Sequence, residues 1–344
     1  MDMDPALVAL VARDPVKAVR TYGRAFARAK KSHDLVRLCD AHTNLGHVYF
    51  LTGRFDRAAD HYAQAAALSM QQKDSVGEGI ALRNLGATFI ASADHRLAQA
   101  RTLAALERLT SLGRARDVQM ALNNLGVLEK NRASYRGAES HLEKALAHDT
   151  GPTDLRTLVQ RNLGRLHARW GEYDRAIDDF TAYGNTAASL GDQAEVAQAL
   201  LESASVYRQQ GQHNRALLKV REAIRVQSAA KQETDWSKKL MGDILLDVGR
   251  NSEAMKYVTE SGYDSSAGLL NLRTSQPHKA KKHYERLLEA ADKEQNLDEM
   301  FTAHTGLGRA YESLHDYSRA DRHYARAVEI TEDIRASLLF SERR

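Results

Sequence analysis

One cysteine stands in 344 residues. A lone Cys39 excludes an intrachain disulfide and the multi-thiolate set of a structural zinc site, and a chain without disulfides fits a reducing cytoplasm. Four prolines leave long stretches free of helix breakers. Aromatic residues are sparse, at 6%, while alanine and leucine are abundant, a helix-forming composition. No apolar run reaches the roughly 18 residues of a membrane span, and the mean hydropathy is -0.52, so no membrane insertion is expected. The opening MDMDPALVALVARD lacks the basic start and long apolar stretch of a signal peptide.

Neither sign of charge dominates. Lys and Arg number 49 against 45 Asp and Glu, a net +4. The two signs are interspersed, with no basic run of the kind that marks a nucleic-acid arm, so no nucleic-acid partner is expected. No Gly-x-Gly-x-x-Gly or P-loop spacing occurs, and no cofactor is expected. His42 and His47, like His278 and His283, are five apart, off a single helical face. Cys39 near His42 has the residue types of a nucleophile and base, but packing is the expected role. No catalytic residue is assigned, and the chain reads as a non-enzyme.

What is present is a period. Asn-Leu-Gly stands at 44–46, 84–86, 124–126 and 162–164. An alanine recurs at Ala18, Ala58, Ala98, Ala138, Ala176, Ala216, Ala254, Ala280 and Ala320. The intervals are 40, 40, 40, 38, 40, 38, 26 and 40 residues. Twelve residues before each alanine comes a small residue, glycine in seven of the nine. Aromatics recur beside these positions, as at Phe55, Tyr62, Tyr135 and Tyr173. Small residues let two helices approach closely, and aromatics fill the wedge beside the crossing. The unit is therefore a helical hairpin.

NLGHVYFLTGRFDRAADHYAQAAAL (44–68) resembles the tetratricopeptide repeat, with its Leu-Gly, aromatic and alanine positions. The resemblance runs over roughly residues 4–336. The period is longer than the family's basic unit of about 34. Such long-period arrays are similar to those of spindle and G-protein-regulator scaffolds, and to the sensor half of effectors with a caspase-like domain. The resemblance implies an all-α fold, a right-handed superhelical solenoid of about nine antiparallel helix pairs, with the first helices lining a concave face.

The 26-residue interval predicts a short second helix over 251–260 and a kink or change of pitch near 258–267. It divides the chain into an N-terminal array, 1–260, bearing a peptide groove, and a C-terminal part, 261–344, of further repeats and a capping or connector helix. A loop is expected at HDTGPTD (148–154), with a helix starting at Thr153 or Asp154. Ile330, Ile334, Leu338 and Leu339 form an apolar stripe on the last helix.

A carboxamide is not a packing choice. On the implied concave face, Asn44, Asn84, Asn124 and Asn162 could offer a donor and an acceptor each to a peptide backbone; bridging neighbouring helices is the other role open to them. Residues sharing that face are Arg83, Asn123, Lys130, Arg161, Arg165, Arg169 and Arg208. Arg161, Arg165 and Arg169 are like charges at i, i+4 and i+8, a repulsion that an acidic ligand would relieve. The expected function is a non-enzymatic protein-interaction scaffold binding a peptide with an acidic segment or a C-terminal carboxylate. The alternative is a regulatory module controlling an attached or associated effector such as a caspase-like protease.

Overall fold

Aspartates mark many helix starts in this chain. Asp34, Asp74, Asp94 and Asp192 each accept a hydrogen bond from a backbone N–H two or three residues on, satisfying donors that the first turn leaves open. The turn between paired helices carries a residue in the left-handed region. Gly53, at φ 71°, fills that place in one hairpin, and Ala93, at φ 59°, in the next.

The computed structural model describes residues 3–148 and 153–343, with side chains through 334. The described residues form eighteen α-helices and no strand. By contacts the chain falls into two units, one of Met1–Leu166 with Ser341–Arg344 and one of His167–Phe340. The first unit holds α1 (Pro5–Arg13), α2 (Pro15–Lys31), α3 (Leu35–Leu51), α4 (Phe55–Gln71), α5 (Ser75–Ala91), α6 (His95–Ser111), α7 (Ala115–Asn131), α8 (Tyr135–Ala147) and most of α9 (Asp154–Trp170). The second holds the end of α9, then α10 (Tyr173–Ser189), α11 (Gln193–Gln209), α12 (His213–Ala229), α13 (Asp235–Asp247), α14 (Asn251–Ser261), α15 (Asp264–Arg273), α16 (Pro277–Glu294), α17 (Leu297–Ser313) and most of α18 (Tyr317–Arg343).

Within each unit, among the described residues, odd helices pack against the even helices that follow them. Every periodic small residue lies on an odd, first helix and every periodic alanine on an even, second helix. These alanines are buried, from Ala18 at 0% to Ala320 at 3% exposed. The small residues permit close approach: a Cβ on Gly46 would lie 2.6 Å from the ring of Tyr62. In the first unit Leu109, Leu122, Leu142, Val159 and Leu163 share one core. In the second, Val220, Leu240, Ile244 and Val258 do. Each such side chain contributes roughly 1.5–3 kcal/mol by leaving water.

The shortened repeat is observed where the interval placed it. α14 has 11 residues and ends at Gly262, φ 72°; α15 has 10. α9 begins at Asp154, with Thr153 Oγ1 accepting from the Arg156 N–H at 3.0 Å. The preceding 149–152 lie outside the described residues. On α18, Ile330 is fully buried and Ile334 packs beside it, while the side chains of Leu338 and Leu339 lie outside the described set.

Candidate peptide-binding face

The first helices of the first unit are tied by polar side chains. Asn84 on α5 is 1% exposed, and its Nδ2 lies 3.5 Å from His47 Nε2 on α3. Its neighbour Arg83, 2% exposed, donates through Nη1 to Asp117 on α7 at 2.5 Å and through Nη2 to the Asn84 side-chain oxygen at 3.4 Å. Arg114 reaches the other oxygen of Asp117 at 3.0 Å. One step on, Asn162 on α9 donates to Asn123 on α7 at 2.7 Å. Both are buried. Arg83, Asn84, Asn123 and Asn162 thus hold the register of first helices. Asn44, Asn124, Lys130 and Arg161 are half-buried, and Arg165 is exposed.

Beside these rungs lies a cavity of about 450 Å³, whose lining includes Thr43, His47, Arg83, Asn84, Arg114 and Arg116. Arg116 is exposed and reaches Asp154 at 3.2 Å. Its hydrogen bond holds the Asp154 carboxyl below the usual carboxylate range. Three arginines and two paired aspartates leave the mouth net positive. The sequence pattern placed Arg83 on this face. The arginines at 114 and 116 escaped it, because they sit in the turn and first turn of α7 rather than on the repeated face.

In the second unit, Arg169 is exposed. Arg208 is half-buried and pairs with Asp247 at 2.6 Å. A second cavity of about 420 Å³ includes Arg208, Lys239, Asp243, Tyr284, Phe301 and Arg309 in its walls. Lys239 meets Asp243 at 2.7 Å, and Ser266 donates to the same carboxylate at 2.6 Å. Burial pushes the Tyr284 phenol up to about 12.

The Cys39 thiol contacts the Ser69 hydroxyl at 3.4 Å and is raised by burial, which disfavours a thiolate. His283 pairs with Asp264 at 2.7 Å, and His42 with His61 at 3.0 Å. Among the described residues no three or more His, Cys, Asp or Glu are grouped to hold a metal, and no helix is long and apolar enough to cross a membrane.

Family models described as tetratricopeptide repeat match residues 37–111, 118–147 and 303–335. No curated protein matches the chain. Among solved structures, it is similar to the apo form of the quorum sensor NprR from B. thuringiensis, at 17% identity and TM-score 0.64, over 94% of this chain and 84% of that one. It is also similar to a Rap protein complexed with Competence and Sporulation Factor, at 15% identity and TM-score 0.59, over 99% and 89%. Aspartyl phosphate phosphatase F from Bacillus subtilis aligns at 9% identity and TM-score 0.59, over 96% of each chain. At such identities the likeness is one of fold.

Proposed function

We propose that this chain, a tetratricopeptide-repeat protein, is a non-enzymatic interaction scaffold that takes an acidic peptide segment, or a C-terminal carboxylate, at the first-helix face of its first unit. The observation that carries this reading is the net-positive cavity beside α3, α5 and α7. Arginine forks suit carboxylates because they offer two parallel donors. Asn44 and Asn124 have the exposure to bond a ligand backbone. Lys130, Arg161 and Arg165 extend the positive face along α7 and α9, while Arg83, Asn84, Asn123 and Asn162 keep it in register. Arg169 and Arg208 belong to the second unit. A Rap protein complexed with Competence and Sporulation Factor, among the similar folds, is consistent with such use.

The test uses a labelled ten-residue Asp/Glu-rich peptide with a free C-terminus and its neutral Asn/Gln twin. Fluorescence anisotropy is read on the wild type and on Arg116→Glu with Arg165→Glu. Both positions are exposed, so the helical circular dichroism is expected to be unchanged. The expected outcome is binding of the acidic probe alone and a loss of about tenfold or more in the variant, the order expected for several rim ion pairs. Equal affinity of the two proteins, or no preference for the acidic probe, overturns the reading.

A further inference from the structure

The α2 helix has a face that the peptide site does not use. Its sequence PVKAVRTYGRAFARAKK contains six basic residues and no acidic one, where the chain average of 45 acids in 344 would place about two. Five of the six, Lys17, Arg20, Arg24, Arg28 and Lys31, are spaced by three or four residues. At 3.6 residues per turn they fall within an arc of about 80°. All five are exposed. Among the described residues none of them is in an ion pair. The carboxylates that flank α2 in sequence are committed elsewhere: Asp14 accepts from the Lys17 backbone N–H at 2.8 Å, and Asp34 caps α3 and pairs with Arg37 at 3.2 Å.

The opposite side of α2 is the packed one. Ala18 and Ala29 are buried, and Val19 and Tyr22 pack on the core of Leu7 and Val48. The cations therefore project outward as a line roughly 21 Å long, from the fourteen steps between Lys17 and Lys31 at about 1.5 Å each. Like charges at i, i+4 destabilise a helix. Arg28 and Lys31 complement the dipole of the last turn, but nothing in the packing of α2 requires Lys17, Arg20 and Arg24, so folding alone does not account for the whole stripe.

We propose that the outer face of α2 docks an acidic α-helix of a protein partner, whose carboxylates recur at the same three-and-four spacing. The line is one helix wide, and its step is the 5–6 Å between side chains on a helix face. A membrane plane would meet more than this lane: the next second helix, α4, exposes Asp56 and Asp60 beside Arg57, so the cationic surface does not continue onto it. Single-stranded nucleic acid calls for exposed rings to stack its bases, whereas Tyr22 and Phe26 of α2 are only half-exposed and turned from the stripe. This docking face is separate from the peptide site and does not depend on it.

The probe is an alanine-based helical peptide carrying glutamates at intervals of three and four, with a glutamine twin. Duplex DNA and phosphatidylserine vesicles form the other arms. The proteins are the wild type, the triple variant Arg20→Glu, Arg24→Glu, Arg28→Glu, and the peptide-site variant Arg116→Glu, Arg165→Glu. The expected result is binding of the glutamate helix by the wild type, weakened several-fold between low and high salt. That binding falls about tenfold or more in the triple variant and is retained by the peptide-site variant. The triple variant should also gain affinity for a lysine version of the helix, which a misfolded protein would not. Preference for DNA or vesicles over the glutamate helix overturns the proposal, as does equal binding by wild type and triple variant.

Discussion

Two hairpins join their helices through a pair of imidazoles. His42 and His61 approach at 3.0 Å between Nδ1 atoms, and so do His304 and His323. Tyr49 stacks on His61 and Tyr311 on His323, each at 5.4 Å. One ring must donate and the other accept, so each pair needs at least one neutral ring. Burial pushes all four below the ordinary imidazole value of 6.5, His42 to about 4. Lys30 and the partner ring add to the effect at His42. Asp60 opposes it at His61, as Glu285 does at His323. At His304, Arg326 adds to the effect and Glu329 opposes it. With folded values below the unfolded one, unfolding takes up protons, and stability is full above about pH 6.5 and falls as the pH drops below it. Other repeats hold leucine in the slot of His42 and His304, as at Leu82, Leu122 and Leu200. The double variant His42→Leu, His304→Leu should therefore fold and lose less Tm between pH 7.5 and 5 than the wild type. An identical loss would mean that the pairs do not contribute. Little of this could be read at the residue scale. The pairs join positions 19 apart across a turn, and Arg83 meets an aspartate 34 residues on. A helical pattern gives the face of a residue, not the register of the neighbouring repeat.

At the scale of the helix, far more was legible. Alanine and small-residue positions assigned first and second helices, and the 26-residue interval located α14 to within a residue of its observed end. The reason is steric. A close crossing admits few residue types, so it writes itself into the sequence. Gly86 shows how strictly. A Cβ there would lie 2.1 Å from Thr102 Oγ1 and 3.2 Å from the Thr102 backbone nitrogen. That hydroxyl is fixed by donating to the Ala98 carbonyl at 2.8 Å. Gly86→Ala should cost about 1–3 kcal/mol from overpacking, despite a propensity gain of about 1 kcal/mol. Adding Thr102→Ala removes the hydroxyl and should recover part of the loss. Urea denaturation of the two single variants and the double completes the cycle; additive losses would show that the crossing does not set the glycine. The α2 stripe was missed at this scale for a plain reason: its cations are separated by neutral residues and form no run.

For the whole chain, the period gave nine hairpins, because each repeat buries its face on the next. The division of contacts at Leu166 and His167 was not legible, since it falls inside the unbroken helix α9 and no Gly- or Pro-rich linker marks it. Within each unit the substantial contacts join helices one or two places apart in sequence. Stability is then close to a sum of hairpin and neighbour terms, and damage should stay near its origin. Leu142 on α8 tests this. It is fully buried and packs in the core of α6, α7 and α9. Leu142→Ala should cost about 2–5 kcal/mol by lost burial and cavity formation. Amide hydrogen exchange should show protection falling in α6–α8 while α16–α18 keep theirs. An equal fall at both ends would mean that the chain unfolds as one cooperative body, and that neighbour-only contacts do not govern its stability.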